Sequence, residues 1–168
     1  IWLYLLTGRR KMEILSLKWS QVDLKNSQIC LYDTKSDRTS IKTHPHSLSS
    51  AAKELMSKIP RVQNNPYVFV GRCIDSGGCG QHLVNIDKQW NLARKRADLP
   101  DVRIHDLRRT VGSWLGGSDA SMFVIQGIMG HKNQSTTEGY VWLDDAPMLG
   151  ALEEHAKNLM LHGVRPNL

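Results

Sequence analysis

Between Leu48 and Leu159 the apolar residues recur every three or four positions, in segments broken at Pro60, at a glycine-rich stretch (75–80) and at Gly130. A stripe of that period is one face of an α-helix, so most of the chain must fold as short helices that each bury one side. The stripes are Leu48, Ala52, Leu55 and Ile59; then Leu83, Ile86, Trp90, Ala93 and Ala97; then Leu107, Val111, Trp114 and Leu115; and last Leu149, Leu152, Ala156 and Leu159. Pro60 stops the first of these helices. A further helix is predicted from about Ser121 to Gly130, because glycine supplies the left-handed residue that ends many helices. Ser135-Thr136-Thr137-Glu138 has the S-x-x-E form of a capping box and predicts another helix start. The final helix runs from Asp145, with Pro147 in its first turn. Trp90 and its stripe are read as core.

The N-terminal part reads differently. Residues 10–19 predict a short helix, 23–27 a turn, and 28–32 a short strand. A second turn at 35–38 leads into 39–43 as an antiparallel partner, giving a small sheet of about three strands. After Pro45 the pattern becomes helical, and residues 67–70 are a short strand or extended link. The fold class is therefore α+β, mainly α-helical, with a small antiparallel N-terminal sheet. No repeat or internal linker divides the chain, so residues 1–168 are read as a single domain.

Composition narrows the function. The longest strongly apolar run, residues 1–6, falls far short of the roughly 18–20 residues that span a bilayer. With no basic n-region before it and no small-residue cleavage site after it, it is not expected to act as a signal peptide. Three cysteines, Cys30, Cys73 and Cys79, are odd in number and form no C-x-x-C pair, so a reducing cytoplasm fits better than a disulfide framework or zinc site. Lys and Arg total 22 against 16 acidic residues, a formal charge of +6 that favours a polyanionic partner such as nucleic acid. The chain opens at Ile1, without Met, inside an apolar stretch that reads as the end of a helix. The expectation is a fragment of a longer protein.

Several polar residues fall at element ends, where side chains converge on ligands. Arg10 begins the first complete helix, directly after Thr7-Gly8. His105 and Arg108, three apart, share a helix face opposite Leu107. His131 follows Gly130, and Tyr140 lies one turn into the capped helix.

Thr7-Gly8-Arg9-Arg10-Lys11-Met12-Glu13, Thr34-Lys35, His105-Asp106-Leu107-Arg108, Met129-Gly130-His131 and Tyr140, in this order, resemble the tyrosine recombinase (phage integrase) family over nearly the whole chain. The resemblance implies the catalytic-domain fold that breaks and rejoins DNA. It implies Tyr140 as the nucleophile that forms a 3′-phosphotyrosine and releases a 5′-hydroxyl. Arg10 and Arg108 would clamp the non-bridging phosphate oxygens, and His131 would donate a further hydrogen bond. Lys35 would protonate the leaving oxygen, and His105 would move a proton to or from Tyr140. No metal, ATP or other cofactor is implied. Double-stranded DNA is the implied partner, with a homotetramer on DNA for the full-length protein, no membrane, and a cytoplasmic bacterial or phage setting.

Elementary chemistry favours the same residue types. Planar guanidinium forks bind phosphate oxygens in pairs and stay charged at working pH. A lost preorganised donor of this kind costs roughly 100–1,000-fold in rate. A tyrosine of pKa about 10 needs a base or a strongly cationic site before it attacks.

Simpler readings compete at each position. Arg9 is an adjacent alternative to Arg10, which is preferred because the family's arginine is the second residue after the glycine. Lys35 could be an exposed turn lysine with Lys42 nearby, His105 a helix cap, and Tyr140 a half-buried amphipathic residue. Arg109 could replace Arg108 as a phosphate binder and is assigned to DNA contact. So is the basic back face of the Trp90 helix, Lys88, Arg94, Lys95 and Arg96. His44-Pro45-His46 is read as a loop, because no carboxylate partner accompanies it. Gly77-Gly78-Cys79-Gly80 lacks the Lys-Ser/Thr of a P-loop.

Met12 and His46 depart from common family residues, and the family's N-terminal DNA-clamping domain is expected to be missing. The last helix (145–168) either docks on a neighbouring protomer or packs at home. Two rivals remain: a type IB topoisomerase, with the same chemistry but no strand exchange, and a catalytically inactive DNA-binding remnant of a mobile element.

Overall fold

In the computed structural model, which describes residues 1–32, 43–71, 81–130 and 145–161, the opening apolar run is helix α1 (Trp2–Thr7). Leu3, Tyr4, Leu6 and Thr7 are buried, and α1 packs against α3 (Ser50–Ser57), α5 (Ile104–Gly116) and α7 (Asp145–Leu161), among others. Leu6 is 0% exposed, and burial of a leucine contributes about 1.5–3 kcal/mol. The helix stops at Gly8, whose φ of 62° is left-handed, a conformation glycine adopts without steric cost. The chain then turns into α2 (Lys11–Leu15).

The predicted helix over 10–19 is thus cut short. Ser16 returns its hydroxyl to the Met12 carbonyl at 2.6 Å, and the Trp19 N–H goes to Pro66 O at 2.9 Å. Lys18 pairs as a β-bridge with Tyr67, which pulls the chain out of helical geometry; only a short 3-10 turn, Trp19–Gln21, follows.

The sheet has three antiparallel strands in chain order: β1 (Val22–Asp23), β2 (Gln28–Tyr32) and β3 (Thr43–Ser47). The partner strand lies further along the chain than 39–43, of which only Thr43 falls within the described residues. It runs straight through Pro45, opposite Cys30. Proline is compatible here because β3 is an edge strand. The following helix, α3, starts at Ser50 and is capped by the Ser49 hydroxyl accepting from Ala52 N at 3.4 Å.

Two apolar clusters form the core. The first holds α1, α2, β2 and α3 together around Leu6, Ile14, Ile29 and Met56. The second joins α5 to α6 (Met122–Met129) through Val111, Leu115, Val124 and Ile128. Helix α7 ties the two: Leu152 belongs to the second, Ala156 and Leu159 to the first. Its apolar face is filled by this chain's own core. Between those residues the His155 Nε2–H donates to Leu5 O at 2.8 Å, and its ring meets Trp114 edge-on at 5.7 Å.

Two aromatic expectations are corrected. Helix α4 (Asp87–Arg96) buries no residue, so Trp90 is a half-covered side chain, its Nε1 donating to Val102 O at 3.2 Å, rather than core. Trp114 sits at the edge of its stripe and stays 37% exposed. The capping box at 135–138 lies outside the described residues. No described helix is long and apolar enough to cross a membrane.

Candidate active site

The last carbonyls of an α-helix have no partner inside it, and they form the negative end of its dipole. At the end of α6 three consecutive carbonyls are each met by a different arginine. Arg9 Nη1 donates to Ile128 O at 3.0 Å, Arg108 Nη2 to Met129 O, and Arg10 Nη2 to Gly130 O at 3.1 Å. Arg108 Nη1 also donates to Gly8 O at 2.5 Å, so one guanidinium links the turn after α1 to the end of α6. Both turns are left-handed glycines, Gly8 at φ 62° and Gly130 at φ 60°. A Cβ on Gly8 would sit 3.0 Å from Val111 Cγ1, and one on Gly130 only 2.7 Å from Arg9 Nη1 and Nη2.

The three arginines differ in depth. Arg9 and Arg108 are 5% and 6% exposed, whereas the Arg10 side chain is 47% exposed. Glu13 lies among them. Its Oε2 accepts from Arg9 Nε at 3.1 Å and from the Arg10 backbone N–H at 3.0 Å, and its Oε1 accepts from Arg10 Nη1 at 2.9 Å. Burial opposes ionisation of Glu13, but the Arg9 charge and the hydrogen bonds from Arg10 outweigh it and hold the carboxyl below its usual range. Burial, then the charges of Arg10 and Arg9, push Arg108 down to about 10, which leaves it protonated at neutral pH. Three guanidinium groups against one carboxylate leave a net positive site, partly open to solvent at Arg10. Such a site suits an oxyanion, and phosphate above all.

The predicted residues therefore divide. Arg10 and Arg108 come together. His105 is in the first turn of α5, exposed, one turn before Arg108. Arg109, 68% exposed, pairs with Asp106 at 3.6 Å on the outside of the same helix, away from the carbonyl cluster that Arg108 serves. Lys88, Lys95 and Arg96 are exposed on α4, and Arg94 is half-buried there. Lys35, His131 and Tyr140 lie outside the described residues; His131 directly follows the Gly130 turn in sequence, and Tyr140 belongs to the stretch joining α6 to α7.

Sequence reasoning missed the inward role of Arg9 and the shared role of Glu13. The available signal was spacing: Arg9 and Glu13 are four apart and Arg10 and Glu13 three apart, so a carboxylate in the first turn of α2 can reach back to both. His46, read as part of a loop, instead lies on β3 and accepts from Arg9 Nη1 at Nδ1, 3.3 Å away.

Comparison with known proteins covers most of the same chain. A family model described as the phage integrase family matches residues 1–146. The prophage integrase IntF of Escherichia coli (strain K12) is 29% identical over 134 residues, covering 80% of this chain and 28% of IntF. The integrase of Salmonella phage P22 is 27% identical over 163 residues, covering 91% of this chain and 40% of that protein. The chain thus spans well under half the length of these relatives. Among solved structures, the integrase from mycobacterium phage Brujita superposes with a TM-score of 0.63 at 20% identity, covering 90% of this chain and 49% of that one, a likeness of fold.

Proposed function

The chain belongs to the phage integrase family, and from that premise we propose that it is the strand-cleaving domain of a site-specific DNA recombinase. The observation that carries this reading is the convergence of Arg10 and Arg108 on adjacent carbonyls at the end of α6. Each guanidinium has five N–H groups, and each spends two within the described residues. In this reading their further N–H groups bind the two non-bridging oxygens of one phosphodiester.

In the reaction, the Tyr140 oxygen attacks phosphorus, forming the tyrosine–phosphorus bond as the bond to the 5′-oxygen breaks. His105 takes the tyrosine proton, and Lys35 gives one to the departing oxygen. Arg10, Arg108 and His131 stabilise the charge on the phosphorane oxygens. Bond energy is kept in the phosphotyrosine, so the reverse attack by a 5′-hydroxyl reseals the strand without ATP, and no step calls for a metal. The basic side of α4, with Lys88, Arg94, Lys95 and Arg96, and the exposed Arg109 on α5 contact the DNA backbone. In the full-length protein four copies assemble on DNA. Since Leu152, Ala156 and Leu159 are covered at home, contact between protomers through residues 145–168 would use other side chains or an exchanged helix.

The test is cleavage and binding of a duplex by the full-length protein in EDTA and without ATP, across a series of salt concentrations. Cleavage should persist under chelation. Neutralising Lys88, Arg94, Lys95 and Arg96 together should lower the slope of log affinity against log salt by about one for each DNA phosphate that no longer meets a cation. Cleavage that needs a divalent ion would contradict the chemistry. An unchanged salt slope would remove α4 from the interface.

A further inference from the structure

A guanidinium buried to 5% exposure is costly unless its N–H groups find acceptors, and Arg9 draws acceptors from three separate elements. Its Nε holds Glu13 of α2 at 3.1 Å, and its Nη1 reaches both Ile128 O of α6 at 3.0 Å and His46 Nδ1 of β3 at 3.3 Å. At Nδ1 the histidine is the acceptor, because arginine can only donate. Gly130 covers the guanidinium so closely that a Cβ would stand 2.7 Å from both terminal nitrogens. Its hydrogen bonds to Glu13, His46 and the end of α6 turn its donors toward the protein.

We propose that Arg9 is a positioning residue: it holds the Glu13 carboxylate and the carbonyl end of α6 in place, so that Arg10 and Arg108 present their remaining N–H groups together to one phosphate. The proposal rests on the reading of Arg10 and Arg108 as the phosphate clamp. Glu13 is the pivot, because it binds Arg9 through Oε2 and the Arg10 side chain through Oε1. Without Arg9 that carboxylate keeps, among the described residues, Arg10 as its one ion-pair partner, which draws the Arg10 fork inward and away from substrate. The Ile128 carbonyl, left without its donor, also loosens the turn that Arg108 and Arg10 grip. Both changes displace the clamp without removing it, so the reaction should slow while DNA affinity stays the same.

The experiment uses the full-length protein with Arg9→Met, which keeps length and loses charge, Arg9→Lys, which keeps charge and loses the fork, and Arg10→Ala. Single-turnover cleavage and duplex Kd are measured for each. Arg9→Met should slow cleavage about 10–100-fold, the scale of an ångström-sized misplacement, at unchanged Kd. Arg9→Lys should recover part of the rate, because one ammonium satisfies Glu13 but not all three partners at once. Wild-type cleavage by Arg9→Met, or equal loss of binding and cleavage, would overturn the proposal. Should Arg9→Met fail to fold, Arg9→Lys decides alone: a rate between wild type and Arg10→Ala supports positioning, and a wild-type rate overturns it. Undiminished cleavage by Arg10→Ala would instead sink the clamp reading itself, whereas an inactive Arg10→Ala beside a fully active Arg9 variant would sink only this inference.

Discussion

Arg108→Met should lower strand cleavage by the full-length protein about 100–1,000-fold, the usual cost of one lost preorganised donor. It should also destabilise the domain. Arg108 is 6% exposed and pairs the carbonyls of Gly8 and Met129, which come from turns far apart in sequence. Each buried carbonyl left without a donor costs about 1–3 kcal/mol. Methionine restores some packing, so a net loss of a few kcal/mol is expected, or roughly 5–10 °C in Tm for a domain of this size. Arg108→Lys separates the two effects: the ammonium reaches one carbonyl, recovers part of the stability, and still lacks a fork for two phosphate oxygens. Thermal unfolding and single-turnover cleavage, measured on the same variants, check both halves. Cleavage by Arg108→Lys equal to wild type would show that the fork geometry is irrelevant.

The second large effect is at Gly130. An alanine there must hold φ near 60°, which costs about 1–2 kcal/mol. Its Cβ would also meet the Arg9 guanidinium at 2.7 Å, and that group, tied to Glu13, Ile128 and His46, cannot withdraw without breaking those bonds. We expect Gly130→Ala to cost about 2–4 kcal/mol in thermal unfolding, the backbone strain and the steric clash together. Gly116→Ala is the matched control, since nothing lies within 4 Å of its Cβ; it should be neutral or stabilising by up to about 1 kcal/mol. A double-mutant cycle isolates the clash: in an Arg9→Met background the cost of Gly130→Ala should fall toward the backbone strain alone. Additive effects would mean that Gly130 and Arg9 do not press on each other.

Much of this architecture is legible in the residue pattern, where local chemistry and tertiary packing agree. Ser121 and Gly130 bound α6 because a hydroxyl caps the first turn and a glycine takes the left-handed exit. The i, i+4 stripe of Leu107, Val111 and Leu115 marks the buried face of α5, though Leu107 is only partly covered. The pattern misleads where a neighbour in space decides. Trp90 lies on a helical stripe, but periodicity identifies a face without showing that anything covers it. His44-Pro45-His46 reads as a loop, yet at a sheet edge the missing N–H of Pro45 costs no ladder bond. Residues 16–19 read as helix, and the pull of Pro66 and Tyr67 ends it.

The candidate site shows the same division. The choice of Arg10 over Arg9 rests on resemblance, since the two side chains are chemically identical. What separates them is the left-handed turn at Gly8 and the position of α6, which send Arg9 inward and leave Arg10 47% exposed. Sequence alone ranks them as alternatives. Three dimensions give them different work.

The most direct test of the reading as a whole is covalent trapping. A duplex nicked near the cleavage point lets the released end diffuse away, so a cut strand stays joined to the protein. Full-length protein and its Tyr140→Phe variant are incubated with this duplex at low salt, denatured in SDS, and the adduct is mapped by peptide. The expected result is a 3′-linked adduct on Tyr140, absent from the variant. Binding without any adduct in the full-length protein, or an adduct that survives Tyr140→Phe, would contradict it, and the first of these would mark the chain as a DNA-binding remnant.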